Sequence, residues 1–254
     1  MSITEEYKNQ ASWRNWKTYI DLLPIKANDR ILDLGCSNGY VSKLLSQRAK
    51  QVTGIDYSHD LLEIAKKENK GSNIVYHQSD LKEIDELGLF KVDGIWSSFT
   101  VAYFPDFASV LKKWIDLLKP GGWIAIVEMD DLFAHEPITD KSQLKFNQFY
   151  QKQRSLDIYD FEMGRKIRDF ITDEGLTIIS EDSISDRELT CNGSVDNDIY
   201  MAWVDRFERM ESLKKFLGDK EFCEIKDDFL SCLKNDKHES RTKIEYIIAK
   251  KNYA

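Results

Sequence analysis

The stretch Arg30–Gly39 reads RILDLGCSNG, a short apolar run that leads into a turn with glycine at both ends, Gly35 and Gly39. An apolar run bounded by turn residues predicts a buried β-strand, and the residues after Gly39 predict the start of a helix. Glycine lets the backbone bend tightly and approach a bound molecule, while a helix N-terminus offers free N–H groups. The stretch therefore predicts a strand–turn–helix unit that can hold a ligand at its turn.

A second apolar run, 51–55, ends at Asp56, 17 residues after Gly39. A carboxylate at this strand end can accept hydrogen bonds from the two ribose hydroxyls of a nucleoside. A glycine turn by itself is weak evidence for a ligand, because tight strand-to-helix turns also use glycine for structural reasons. The acid at the end of the next strand makes a nucleoside site the better interpretation.

Strands and helices alternate along much of the remaining chain. Strands are predicted at 30–34, 51–55, 73–77, 92–96, 123–128, 176–184 and 243–249. Helices are predicted at 5–22, 61–67, 108–119, 139–155, 164–174 and within 196–234. This alternation predicts an α/β fold with a parallel sheet and helices on both of its faces.

The composition is that of an acidic chain with a substantial apolar fraction. The 254 residues carry a formal net charge of −8, and 42% of them are hydrophobic. This length allows one α/β domain with a large core, and the charge disfavours DNA or RNA as a partner. The four cysteines form no CxxC pair, and we find no signal-peptide pattern and no run of ~20 apolar residues. We expect reduced thiols, a cytoplasmic location and no membrane partner.

In their order and spacing, these segments resemble the class I S-adenosylmethionine-dependent methyltransferases, with a small-molecule, type 11-like methyltransferase domain. The resemblance runs from about residue 30 to 128. It is carried by motif I (31–39), the ribose-binding strand end (54–58), the adenine loop (78–81), the fourth strand (92–98) and the segment before the fifth strand (118–122).

The resemblance implies a Rossmann-like three-layer α/β sandwich, with a mostly parallel seven-stranded sheet, an antiparallel last strand and helical lid insertions. It implies S-adenosyl-L-methionine as the cofactor, with Asp33 near the methionine ammonium group, Asp56 on the ribose and Tyr57 against the adenine. The implied cofactor-binding residues are Asp33, Gly35, Cys36, Ser37, Gly39, Asp56, Tyr57, Ser79, Asp80, Leu81 and Ser97.

We expect a single domain whose parts follow one another along the chain. Its expected parts are an N-terminal helical cap (1–28), a cofactor-binding core (29–130), substrate and lid elements with a later core strand (131–240), and the last strand (241–254).

Two positions depart from the pattern of the family. Ser37 stands where the family most often has glycine, a mild change because serine is small. Ala102 stands where many small-molecule members have histidine after the fourth strand. Any proton transfer must therefore be assigned to another residue.

The densest polar cluster near a strand end lies at residues 128–136, with sequence EMDDLFAHE. His135 or Asp130 could accept a proton from the acceptor as the methyl group arrives. The carboxylates could instead hold Mg²⁺, or the segment could be a solvated loop. We name His135 and Asp130 as catalytic candidates and assign no metal. His238, in a charged turn, is expected to be exposed.

Aromatic residues outside the cofactor core are candidates for the acceptor pocket, although aromatics at helical spacing often belong to the core. The candidates are Tyr7, Trp13, Phe99, Tyr103, Phe133 and Trp203. We expect the N-terminal helix and the residues from 130 to 240 to close over the cofactor as a lid.

The expected function is methyl transfer from S-adenosylmethionine to an oxygen or nitrogen atom of a small molecule by in-line displacement, in a monomer or homodimer. A nicotinamide dehydrogenase is disfavoured, because its fingerprint is GxGxxG whereas Gly35 and Gly39 have GxxxG spacing. A non-catalytic nucleoside-binding regulatory or partner protein remains an alternative, since a fold does not determine function.

Overall fold

The computed structural model describes residues 9–253. Each of the seven predicted apolar runs forms a strand, and two short strands that were not predicted are also present. The strands are β1 (Arg30–Leu34), β2 (Gln51–Asp56), β3 (Ile74–Gln78), β4 (Val92–Ser98), β5 (Leu118–Asp130), β6 (His135–Glu136), β7 (Thr177–Ser183), β8 (Glu239–Ser240) and β9 (Lys243–Lys250). The short strands β6 and β8 pair with each other in a separate two-stranded sheet.

The main sheet has the strand order β3-β2-β1-β4-β5-β9-β7. The pairs β3–β2, β2–β1, β1–β4 and β4–β5 are parallel, whereas β9 runs antiparallel to both of its neighbours. The predicted mostly parallel sheet with an antiparallel last strand is thus confirmed. Strand order reverses between β1 and β4, and the loops after these strands therefore diverge and leave a crevice at their carboxyl ends.

Ten helical segments flank the sheet in the described residues. They are α1 (9–13), α2 (Trp16–Asp21), α3 (Tyr40–Ser46), α4 (His59–Glu68), α5 (Phe107–Leu117), α6 (Asp140–Ser155), α7 (Ile167–Asp173), α8 (Asn197–Arg209), α9 (Glu211–Leu217) and α10 (Asp219–Leu233). Short 3₁₀ helices occur at Leu81–Leu87, Val101–Tyr103 and Gly164–Lys166. Within residues 9–253, none of the helices is long and apolar enough to cross a membrane.

The helix bounds differ from the predictions at three places. The predicted helix 5–22 is interrupted before α2, because Asn15 takes a left-handed conformation with φ 44°; residues 5–8 lie outside the described part. Helix α5 ends at Leu117 and not at residue 119, and β5 begins at Leu118 and not at residue 123. The stretch 196–234 divides into three helices, with breaks at Met210 and Gly218.

Two apolar cores cover the two faces of the sheet. On β1, Ile31 belongs to one core and its neighbour Leu32 to the other, as expected when successive side chains point to opposite faces. The core that contains Ile31 extends into the helices beyond residue 139, where it is rich in phenylalanine. The segments expected to form a lid therefore share a packed core with the sheet.

Candidate active site

A cavity of about 760 Å³ lies at the carboxyl ends of β1, β2 and β4, where the strand order reverses. Its acidic side, at the ends of β1, β2 and β3, carries the carboxylates of Asp33, Asp56 and Asp80. The opposite side, called the arginine side below, is formed by residues 10–16, by the residues after β4 and by the end of α8. It carries Arg14, Arg206 and Arg209. The predicted cofactor residues that line the cavity are Asp33, Gly35, Cys36, Ser37, Asp56, Tyr57, Asp80 and Leu81.

The turn after β1 is held by the neighbouring strand. The N–H of Gly35 donates to the carbonyl oxygen of Ile55 at 2.8 Å. The carboxylate of Asp56 accepts from the N–H of Ser37 at 2.7 Å and from that of Ser58 at 2.9 Å. In the sequence, only the spacing connects Asp56 with this turn. In the structure, its carboxylate holds the turn directly through Ser37.

Glycine at position 35 is required by both conformation and space. Its φ is +76°, and an added Cβ would lie 2.0 Å from Oγ1 of Thr100 and 2.9 Å from the Cβ of the same residue. No larger residue fits without moving the segment after β4. The turn after β1 and the segment after β4 therefore pack directly against each other at the cavity.

The carboxyl group of Asp33 is buried at the cavity wall. It accepts a hydrogen bond from the hydroxyl of Ser42 at 2.5 Å. Burial raises the pKa of Asp33 to about 7, against the lowering effect of the Ser42 hydrogen bond, and the charge of Asp56 raises it further. A carboxyl group in this environment favours a cationic ligand, because a positive charge would stabilise its ionised form.

The buried carboxyl group of Glu128 holds the segment after β4 through a backbone hydrogen bond. Its side chain is fully buried, and it accepts from the N–H of Ala102 at 3.2 Å and from that of Met129 at 3.0 Å. Phe99, in the same segment, has a positive φ of 52°. Burial raises the pKa of Glu128 to about 7, although these backbone hydrogen bonds lower it. Glu128 is thus a structural anchor for the segment that carries Phe99.

Replacing Glu128 with glutamine should change how stability depends on pH. Because the pKa of Glu128 is raised in the folded state, folding loses stability as pH rises from about 4.5 to about 7, and glutamine removes this loss. The free energy of unfolding of Glu128→Gln, relative to wild type, is expected to rise by ~3 kcal/mol over this window. Urea denaturation at several pH values measures it.

The exposed Glu86 offers a matched control for this substitution. The variant Glu86→Gln removes the same charge without a buried carboxyl group, so its relative stability should stay nearly constant with pH. If the free energy of unfolding of Glu128→Gln relative to wild type is also constant with pH, then burial does not raise the pKa of Glu128.

Known proteins are similar to this chain mainly over the strands that form the cavity. A sequence profile described as a methyltransferase domain matches residues 32–126. The ubiquinone biosynthesis O-methyltransferase of Nitrosospira multiformis is 30% identical over 108 residues, 42% of this chain and 45% of that protein. Over residues 32–126, the chain is therefore similar to S-adenosylmethionine-dependent methyltransferases.

Two further comparisons show how far the similarity extends along the chain. The malonyl-[acyl-carrier protein] O-methyltransferase of Acetivibrio thermocellus is 33% identical over 154 residues, 59% of this chain and 51% of that protein. The structure of Haemonchus contortus phosphoethanolamine N-methyltransferase 2 with S-adenosyl-L-methionine matches with a TM-score of 0.58 and 19% identity, over 94% of this chain and 52% of that one. The chain spans about half the length of the curated relatives it matches.

The catalytic candidate His135 lies outside the cavity. Its ring is fully buried and parallel to that of His238, with Nδ1 of His135 2.8 Å from Nε2 of His238. Burial and the neighbouring imidazole lower the pKa of His135 to about 3. The expectation that His238 is exposed was wrong, because the pairing of β6 with β8 brings it against His135.

The second catalytic candidate, Asp130, also lies away from the cavity. Both of its carboxylate oxygens accept from Nε of Arg165, at 2.8 and 2.9 Å. It lines a different cleft together with Asp131 and Glu136. Among the residues that the structure describes, no group of three or more histidine, cysteine and acidic residues could hold a metal ion.

The aromatic candidates for the acceptor pocket separate into two groups. Phe99 and Tyr103 line the cavity, whereas Phe133 and Trp203 are fully buried in the core and do not reach it. Trp13 packs against the core without lining the cavity, and Tyr7 lies outside the described residues. Phe133 and Trp203 thus follow the usual preference of aromatic residues for the interior.

Three of the predicted cofactor residues do not line the cavity: Gly39, Ser79 and Ser97. Gly39 is the N-cap of α3, and a Cβ there would lie 2.3 Å from the hydroxyl of Tyr76. The hydroxyl of Ser97 donates to the carbonyl oxygen of Leu34 at 3.0 Å and so links β4 to β1. These two residues support the turn from behind the cavity wall.

Sequence reasoning missed the residues that make up most of the arginine side. They are Gln10, Arg14, Tyr159, Arg206, Arg209 and Met210. The one signal in the sequence is the i, i+3 spacing of Arg206 and Arg209, which places both on one face of α8. Isolated arginines on charged helices give no indication that they face a cavity.

Proposed function

We propose that this protein transfers the methyl group of S-adenosylmethionine to an oxygen or nitrogen atom of a small-molecule acceptor, as one methyltransferase domain that acts as a monomer or homodimer. The observation that carries the proposal is the turn after β1, which Asp56 holds through the N–H of Ser37 at the wall of a cavity of about 760 Å³. The similarity of residues 32–126 to a methyltransferase domain supports the same conclusion.

The acidic side fits the chemistry of the cofactor. S-adenosylmethionine presents an ammonium group, two ribose hydroxyls and an adenine amino group, all of which are hydrogen-bond donors. Asp33, Asp56 and Asp80 supply carboxylates that can accept from them. The hydroxyl of Ser37 is buried and finds no hydrogen-bond partner among the described residues, so it is suited to contact the methionine carboxylate. Tyr57, 76% exposed at the cavity, offers its ring to the adenine.

The role of this chain in the reaction is alignment and exclusion of water. The cofactor supplies a methyl group whose leaving group is already activated by positive charge. In the described part of the chain, the arginine side of the cavity contains no carboxylate and no histidine. We propose that Phe99, Tyr103 and Tyr159 orient and desolvate the acceptor, which lowers the barrier without a strong base.

Release of S-adenosylhomocysteine tests this proposal directly. The purified protein is incubated with S-adenosylmethionine and a library of phenols, amines and carboxylic acids, and the product is detected by mass spectrometry. We expect cofactor binding by calorimetry and acceptor-dependent product. Cofactor binding without product from any acceptor would favour the non-catalytic alternative, and absence of cofactor binding would contradict the proposal entirely.

Affinity for S-adenosylmethionine should increase with pH if Asp33 holds the ammonium group. The pKa of Asp33 is raised to about 7 in the free protein, so the carboxyl group must lose a proton to pair with the cation. Between pH 5.5 and pH 7 the affinity is expected to rise about tenfold, with proton release on binding below pH 7. Calorimetry in buffers with different ionisation enthalpies measures both quantities.

The variant Asp33→Asn is the control for this pH dependence. It keeps a similar shape but cannot ionise, so its weaker binding should vary little over the same pH range. An equally steep pH dependence in Asp33→Asn would assign the titration to another group.

A further inference from the structure

The arginine side of the cavity differs in charge from the rest of this acidic chain. Arg14 comes from the segment between α1 and α2, and Arg206 and Arg209 come from the last turn of α8. All three line the cavity, and among the residues that the structure describes its carboxylates lie on the acidic side. Two separate parts of the chain thus bring guanidinium groups to one wall in a protein with net charge −8.

Buried acids hold the guanidinium group of Arg14 in place. Its Nε donates to Oδ2 of Asp186 at 2.6 Å, and its Nη2 lies 3.5 Å from Oε2 of Glu188. The group also lies 4.4 Å from the ring centroid of Phe99, which lines the same cavity. Asp186 and Glu188 are fully buried and do not line the cavity.

The same acids connect Arg14 to α8. Nη2 of Arg206 donates to Oε1 of Glu188, and its guanidinium group lies 5.1 Å from the ring centroid of Trp203. Asp186 is itself fixed, because its Oδ1 accepts from the N–H groups of Glu188 and Leu189, each at 2.7 Å. The arginines are therefore preorganised by a layer of acids behind the cavity wall.

This arrangement is suited to an anionic oxygen group. A guanidinium group presents several N–H donors in a planar fork that matches a carboxylate or phosphate, and fixing it in advance reduces the entropic cost of binding. The aromatic rings of Phe99, Tyr103 and Tyr159 lie on the same side and offer an apolar surface beside the charge.

We propose that the methyl acceptor carries a carboxylate or phosphate group, which binds on the arginine side while its apolar part contacts the aromatic rings. The inference rests on the proposed function, because it assigns the acceptor of that same cavity. It is specific to the charge of the acceptor and leaves its reacting atom unspecified.

Arg209 is the most suitable position for a variant. Arg14 and Arg206 pair with buried acids, so removing either could disturb the fold. Arg209 is exposed at the cavity. The variant Arg209→Gln removes its charge at little risk to the core. Arg154→Gln serves as the matched control, because Arg154 is half exposed and does not line the cavity.

The experiment measures binding of three probes to the protein loaded with S-adenosylhomocysteine. The probes are 4-hydroxybenzoate, its neutral amide 4-hydroxybenzamide, and phenyl phosphate, and each is titrated by calorimetry. We expect at least one anionic probe to bind about tenfold more tightly than the amide, as for charge-assisted hydrogen bonds. Whether the carboxylate or the phosphate binds more tightly identifies the preferred group.

In Arg209→Gln this preference should fall severalfold, with unchanged affinity for S-adenosylhomocysteine, whereas Arg154→Gln should behave as wild type. Equal binding of the amide and the anions, no binding of either anion, or an unchanged preference in Arg209→Gln would overturn the inference alone. Failure of wild-type protein to bind S-adenosylhomocysteine would overturn the proposed function, and the inference with it.

Discussion

Replacing Gly35 with valine is expected to abolish S-adenosylmethionine binding. The new Cβ would lie 2.0 Å from Oγ1 of Thr100, and valine strongly disfavours the φ of +76° at this position. Both effects displace the turn after β1 from the segment after β4, and these two elements form adjoining parts of the cavity wall. We expect affinity to fall by more than ~100-fold, measured by calorimetry on protein whose secondary structure is checked by circular dichroism.

Gly88→Val is the matched control for Gly35→Val. Gly88 also has a positive φ, of +61°, but an added Cβ there meets nothing within 4 Å. The control variant therefore carries the backbone strain without the collision, and it lies outside the cavity wall. It should lose stability and keep its affinity for the cofactor. Normal binding by Gly35→Val would show that the turn tolerates a side chain and does not approach the ligand.

Replacing Asp56 with alanine is expected to weaken S-adenosylmethionine binding by ~100-fold. The variant would lose the proposed acceptor for the ribose hydroxyls and also leave the N–H groups of Ser37 and Ser58 without their partner. Because the turn and the ribose site depend on the same carboxylate, the two losses act together. Asp56→Asn, which keeps one carbonyl oxygen, should lie between wild type and alanine.

The control for Asp56 is Asp60→Ala, in the first turn of α4. The side chain of Asp60 is fully exposed and does not line the cavity. This variant changes the net charge of the chain by the same amount, so it separates a local effect from long-range electrostatics. If Asp56→Ala and Asp60→Ala bind the cofactor equally well, the assignment of Asp56 to the ribose is wrong.

The sequence by itself determined the sheet and the acidic side of the cavity. Strands β1 to β5 follow one another along the chain, and each connection contains a helix. The turn at Gly35 and the acid at Asp56 are recognised by their fixed distances to strand ends. The spacing of hydrophobic residues, the turn residues and the strand ends are local properties of the sequence. They can therefore be predicted without knowing what packs against them. The cap formed by Ser58 on α4 is a further example.

Only the tertiary structure decided which side chains beyond residue 130 face the cavity. Phe133 and Trp203 belong to the core, and His135 pairs with His238 across 103 positions. Arg14 reaches the same wall as Arg206 through Asp186, 172 positions away, and through Glu188, which both arginines contact. An aromatic or charged residue on an amphipathic helix has the same local pattern whether it meets a core, a cavity or solvent. Which of these three environments a side chain meets depends on how the helices pack against one another, because burial is a property of the whole fold and not of a local segment.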